Sequence, residues 1–142
     1  MAGELLPTAT DKALDAVTGR ATVNSATTYL CLLTGNLTDT STTSDVVTNE
    51  VTTAGTNGYS RQAVTWTAPA DSSGVRLTEN SGAITFGPFS ADLSNVTHCC
   101  LVEGASGTPT ALRAVWTLDS ARDPANGDSI QFASGALDIT LD

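Results

Sequence analysis

The feature that most constrains this chain is the period-two alternation that takes over after Gly82 and closes it. In Ala136-Leu137-Asp138-Ile139-Thr140-Leu141-Asp142, leucine and isoleucine alternate with aspartate and threonine. Such a pattern puts Leu137, Ile139 and Leu141 on one face of a strand and the polar residues on the other. A chain that spends its last residues on a half-buried strand is expected to be a compact β unit. The same alternation recurs in Ala111-Leu112-Arg113-Ala114-Val115-Trp116-Thr117-Leu118, which aligns Leu112, Ala114, Trp116 and Leu118, and in Gly82–Gly87, which aligns Ile84 and Phe86.

Composition points the same way. Threonine accounts for 24 of 142 residues, and lysine occurs once, at Lys12. Threonine is β-branched and suits pleated surfaces, whereas the long straight side chains that favour helices are scarce. At this length one domain is the expectation, large enough to bury a core without disulfides or metals.

Turn signals divide the chain. Asn57-Gly58, Pro69–Gly74, Gly104–Pro109 and Asp123–Asp128 separate apolar or alternating runs, and Pro88 breaks a ladder because it lacks an N–H. Thr28-Tyr29-Leu30-Cys31-Leu32-Leu33 is apolar on both faces after Thr28, which places it centrally in a sheet. Arg61–Trp66 sets Gln62, Val64 and Trp66 on one side. With Val96–Glu103 and Ser129–Phe132, the fold class is all-β: a single-domain antiparallel β-sandwich of about seven or eight short strands. Residues 1–26 form an N-terminal arm or short helix, and residues 27–142 the sandwich. The helix is expected over Thr10–Val17, capped by Thr10 or Asp11 and ended by Gly19; Leu5-Leu6-Pro7 before it reads as an extended arm. Gly35–Val46 reads as a long surface loop, functional or mobile.

Charge excludes one class of partner. With six basic and fifteen acidic residues the net charge is −9, and phosphate contacts need lysine and arginine, so no nucleic-acid partner is expected. No stretch reaches the length of a membrane span. Met1–Lys12 lacks the basic and apolar regions of a secretion signal, so the chain is expected to be made and, at least initially, kept in the cytosol.

Candidate chemistry is sparse. His98 is the single histidine, and a Ser–His–acid triad would have to use it. Its neighbours Cys99 and Cys100 face opposite sides of a strand, so one at most is expected in the core. Cys31, His98, Cys99 and Cys100 lack zinc-site spacing. Asp119, Asp123, Asn126 and Asp128 lie in one loop, but calcium needs about six to eight converging oxygens, and turn chemistry explains Asp-Pro and Asn-Gly-Asp. Glu50, Glu79 and Glu103 are dispersed, and Trp66 and Trp116 read as core anchors. The expectation is no catalytic residue, no metal, no cofactor and no enzyme activity.

Four segments in order carry a resemblance: Asn49-Glu50-Val51 leading into Gly58-Tyr59-Ser60-Arg61-Gln62-Ala63-Val64-Thr65-Trp66; Ala83–Phe86; Val96–Leu101; and Asn126-Gly127-Asp128 through Ala136–Leu141. This arrangement, over roughly residues 28–142, resembles a family of small structural proteins of tailed-bacteriophage virions, of tail-fibre-like and head-decoration kinds. Gly58–Thr65 is its most specific part. The segment Asn36–Thr48 is longer than in that pattern, and Cys99-Cys100 stands where small or apolar residues are expected. The resemblance implies a virion structural role. A compact acidic chain without a shaft then suits a capsid decoration (cement) protein on the capsid exterior. It would bind the major capsid protein of assembled shells and stabilise them by mass action, as a homo-oligomer with a trimer favoured. Partner contacts are expected at Leu5, Leu6, Leu14 and Val17 of the arm and at Leu37 and Val46 of the loop, and removal of residues 1–20 is expected to leave the sandwich folded. The alternative is a tail-associated or tail-fibre-like protein that contacts tail proteins or a host receptor.

Overall fold

The computed structural model describes residues 1, 3–20 and 26–141, with Leu141 by its backbone alone. Ten strands and two helices follow in the order β1 (Glu4–Leu5), α1 (Pro7–Thr18), β2 (Thr28–Leu33), α2 (Thr43–Asn49), β3 (Gln62–Val64), β4 (Ala70–Ser72), β5 (Val75–Glu79), β6 (Ile84–Phe86), β7 (Val96–Glu103), β8 (Ala111–Arg122), β9 (Ile130–Phe132) and β10 (Asp138–Leu141). The fold is all-β, and every strand pair is antiparallel. A five-stranded sheet runs β1-β8-β7-β2-β3. A three-stranded sheet runs β10-β5-β4, and β6 pairs with β9.

The five-stranded sheet is buried on both faces because its inner strands are apolar at successive positions. On one face Leu30, Leu32, Cys99, Leu101, Ala114 and Trp116 meet Tyr59, Phe86, Phe89, Phe132 and Leu137. Ring stacking organises this core: Tyr59 lies parallel to Phe86 at 5.9 Å, and Phe132 meets Phe86 edge-on at 6.2 Å. On the other face Cys31, Leu33, Cys100, Val102, Leu112 and Val115 pack under Leu6, Leu37 and Val46. The central placement expected for Thr28–Leu33 is what the structure shows: β2 lies between β7 and β3.

Cys99 and Cys100 depart from expectation. Both are fully buried, one in each core. Adjacent strand residues do face opposite sides, but β7 has a core on each side, so neither thiol is left for solvent. Burial pushes both thiols well above their ordinary range, which keeps them protonated.

The alternation in β8 is broken as well. Leu101 pairs with Ala114 and Val102 with Leu112, so Arg113 is skipped in a β-bulge. Leu112 therefore joins the second core, while Ala114 and Trp116 stay in the first. Pro69–Gly74 is not a turn alone. Ala70–Ser72 pairs with Val75–Glu79 as a hairpin, its tip formed by Ser73 and Gly74 at φ 57° and 88°, the left-handed pair that suits a tight hairpin turn.

The Gly35–Val46 segment is no loose loop. Leu37 and Val46 are buried, and the segment ends in α2. Thr42 caps that helix, and Asp45 returns a bond to the Thr42 N–H at 2.6 Å, a complete capping box. Helix α1 starts at Pro7, three residues before the expected Thr10. Leu6 occupies the N-cap without a side-chain bond, and Pro7 supplies the start, since its missing N–H would have no partner there anyway. Gly19 ends the helix at φ 67°, as expected.

Residues before the helix are part of the sheets. Glu4–Leu5 pairs with β8. The Gly3 N–H donates to Asp138 O at 3.0 Å, and the Asp138 N–H to Met1 O at 3.0 Å. Leu6 is 2% exposed. Deleting residues 1–20 would therefore strip a strand and a core leucine. The boundary drawn after residue 26 falls beside residues 21–25, which lie outside the described residues.

Candidate functional site

The densest convergence of ionisable groups is a clamp of Glu50, Tyr59 and Arg61. Glu50 directly follows α2, where its backbone bridges to Leu33 at the end of β2. The Asn57-Gly58 turn then sends the chain back. Gly58 sits at φ +70°, and a Cβ there would lie 2.5 Å from Pro88 O, so the turn has no room for a larger residue. Tyr59 and Arg61, two apart on an extended backbone, aim at the same carboxylate. Arg61 donates Nε to Glu50 Oε1 at 2.9 Å and a terminal nitrogen to Oε2 at 2.8 Å. The Tyr59 hydroxyl donates to Oε1 at 2.7 Å and accepts the Leu32 N–H at 3.1 Å. Arg61 also donates to Gly104 O at 3.0 Å and Gly107 O at 2.8 Å, which ties the β7–β8 connection to the clamp.

The Arg61 and Glu50 side chains are 0% and 4% exposed. Burial would lower the Arg61 pKa, but its bonds to the Glu50 carboxylate outweigh that and hold the guanidinium charged. Burial first, and then nearby negative charge, push the Tyr59 phenol up, so it stays protonated. Both carboxylate oxygens are occupied and the guanidinium fork is shared among three acceptors. Such a site has no polar atom to spare for a substrate. It fixes three chain segments to one another.

The other candidates resolve locally. His98 Nδ1 lies 2.8 Å from Thr97 Oγ1, and β-pairing sets the residue opposite Leu33 and Thr117; burial lowers its pKa. Asp119, expected in one loop with the others, lies on β8; in the turn after β8, Asp123 accepts the Asn95 N–H at 2.7 Å and Asp128 the Ala125 N–H at 3.0 Å. From outside the loop, Asp92 accepts the Asn126 N–H at 2.8 Å. These carboxylates act as turn acceptors. Among the described residues no group of three or more His, Cys, Asp and Glu is placed to hold a metal, and no helix is long and apolar enough to cross a membrane. Trp116 is buried and stacks with half-buried Trp66 at 6.3 Å.

The six residues expected at a partner surface separate into three groups. Leu6, Leu37 and Val46 lie in the core of this chain. Leu5 is half-buried on β1. Leu14 and Val17 project from α1, 63% and 87% exposed, and Val47 of α2, which the sequence reading passed over, is 46% exposed. Open grooves flank this surface. One of about 590 Å³ runs beneath α1, lined by Leu5, Ala9, Ala13, Ala16, Leu101 and Ile139 among others. A second, of about 550 Å³, lies on the far side between Leu118–Arg122 and Ser129–Ala136.

An all-β domain whose buried charge cluster is closed within the chain, and whose two most exposed large apolar side chains sit on one helix, is built as a structural unit. Comparison with known families gives the class its content: the chain belongs to the family described as Podophage GP4 fiber I protein gp80, whose pattern matches residues 7–140. It is thus a bacteriophage virion structural protein. No curated protein matches it.

Proposed function

We propose that this protein is a fibre-associated component of the phage tail that works by docking against other proteins, with no reaction to perform. The observation that carries this reading is the fibre family spanning nearly the whole β domain and α1. The closed Glu50–Tyr59–Arg61 clamp supports it, because this buried cluster of ionisable groups is spent on holding the fold. On this reading tail proteins or a host receptor are the partners.

One observation favours head decoration as a second reading. The described residues form a compact domain with helices of 12 and 7 residues, and no long coiled coil is among them. A cement protein on the capsid exterior, bound to the major capsid protein, has that build. Immunogold labelling of particles together with mass-spectrometric copy number separates the two. Label confined to the tail at low copy number supports the first reading; dense label over the head at high copy number replaces it with the second. Turnover of an envelope polymer by the purified protein would overturn both.

A further inference from the structure

The second core of the five-stranded sheet holds two sulfurs that the docking reading does not use. Strands β2 and β7 pair antiparallel with Cys31 directly opposite Cys100, so both side chains leave the sheet on the same face. Opposed residues of such a pair have Cα atoms about 4.5–5.5 Å apart, inside the window of about 4.4–6.8 Å that a disulfide spans. The two Sγ atoms lie 2.7 Å apart. Even carbon atoms that are not bonded rest about 3.5–4.0 Å apart, and sulfur is larger. The pair therefore stands closer than two separate thiols settle, and within about 0.7 Å of an S–S bond of about 2.0 Å.

The surroundings leave these sulfurs each other. Both residues are 0% exposed. Leu33, Val102 and Val115 of the sheet and Leu6, Leu37 and Val46 of its cover enclose them. The Cys31 thiol also reaches Cys100 O at 3.5 Å. A zinc site needs about four ligands, and among the described residues no group of three or more His, Cys, Asp and Glu gathers here or elsewhere. Burial keeps the Cys100 thiol protonated, so the pair offers no exposed nucleophile to a substrate. Cys99, the neighbour in sequence, points into the opposite core and does not compete for either sulfur.

We propose that Cys31 and Cys100 form a disulfide that staples β2 to β7, closed when this virion protein passes from the reducing cell interior to oxidising surroundings, with Cys99 left as a free thiol. The co-reactant is a low-molecular-weight disulfide. One cysteine sulfur attacks it, which releases one small thiol and leaves a mixed disulfide. The second cysteine attacks the protein sulfur of that mixed disulfide; the Cys31–Cys100 bond forms and the second small thiol leaves. Two protein S–H bonds are lost, two electrons pass to the small disulfide, and the two protons end on the released thiols. The exchange runs through local opening of the Leu6, Leu37 and Val46 cover, and the same cover then shields the bond from reductants. The bond joins residues 69 positions apart, so it restricts the unfolded chain strongly. It is independent of whether the protein sits on tail or head.

The test uses the full chain, purified under reductant and then held folded with oxidised glutathione. Each sample is unfolded in N-ethylmaleimide and its intact mass measured. The reduced chain is expected to take three labels, one for each cysteine, and the oxidised chain one. Cys99→Ala is expected to fall from two labels to none, whereas Cys31→Ala and Cys100→Ala keep two in either condition. Circular dichroism checks that each variant is folded, and the unmutated chain carries the test should one not fold. The oxidised chain is expected to unfold at least about 5 °C above the reduced one. Protein released from particles directly into the maleimide is expected to carry one label. Three labels on the oxidised chain or on the particle protein, a lasting glutathione adduct in place of the bond, a link through Cys99, or an unfolding midpoint that does not rise would each overturn the proposal.

Discussion

The clamp around Glu50 and the helix α1 spend their polar and apolar groups in opposite ways. The clamp takes charges, which are costly to bury, and satisfies every one inside the chain. Helix α1 takes leucine and valine, which are costly to expose, and leaves them in water. The contrast shows where the chain is complete by itself and where it is not. A closed network of charge-assisted bonds sets three segments in one geometry. The apolar pair on the helix is left exposed by the rest of the described chain.

Six substitutions break or sharpen that contrast, beginning with the largest effect. Arg61→Ala leaves the Glu50 carboxylate buried without its counter-charge and frees the Gly104 and Gly107 carbonyls; a loss of about 3–5 kcal/mol in denaturant unfolding is expected. A loss under 1 kcal/mol would show that the clamp opens to water. Tyr59→Phe keeps the ring on Phe86 and removes only the hydroxyl, orphaning the Leu32 N–H. The expected cost is about 1–3 kcal/mol, read from the same unfolding curves.

Thr42→Ala removes the α2 cap and should lower stability by about 1 kcal/mol. The cap also has a pH signature. Bonds from the Thr42 N–H and hydroxyl hold the Asp45 carboxyl below the usual carboxylate range. The folded pKa therefore lies below the unfolded one. The contribution is full above the unfolded value of about 4 and is lost as pH falls through the folded value. Asp45→Asn should flatten that acid-side dependence when unfolding is followed from neutral to acidic pH; an unchanged profile would assign the dependence to other carboxylates. Smallest of all, Leu14→Ser and Val17→Ser should each shift monomer stability by no more than about 0.5 kcal/mol. A larger loss in dilute solution would mean that α1 packs on its own domain more firmly than its exposure indicates.

How much of this was legible in the sequence depends on how local each cause is. The apolar run Tyr29–Leu33, the shared face of Ile84 and Phe86, and the stop at Gly19 follow from period, propensity and one left-handed glycine, all written within a few residues. The β4–β5 hairpin was missed because Val75, Leu77 and Glu79 share a half-polar face. Helix α2 was missed because two turns give too little periodicity, although Thr42-x-x-Asp45 marked its start. The double burial of Cys99 and Cys100 requires knowing that both faces of the sheet are covered, which no single strand records. Of the expected partner residues, Leu14 and Val17 lie exposed, whereas Leu6, Leu37 and Val46 are drawn into a core that distant segments assemble. Glu50, Tyr59 and Arg61 all fall within the segments that carried the family resemblance; their meeting point was hidden because it depends on Leu32, Gly104 and Gly107.

The skipped residue in β8 has a wider reach than its own strand. By counting one position twice, β8 changes parity partway along, so a single strand feeds alternate side chains to one core before Arg113 and to the other after it. The displaced arginine meets Glu103, the same carboxylate that Lys12 reaches from the helix. One extra residue in a strand thus couples the phase of the sheet to the moorings of α1, and any shift in that count would be felt at that helix.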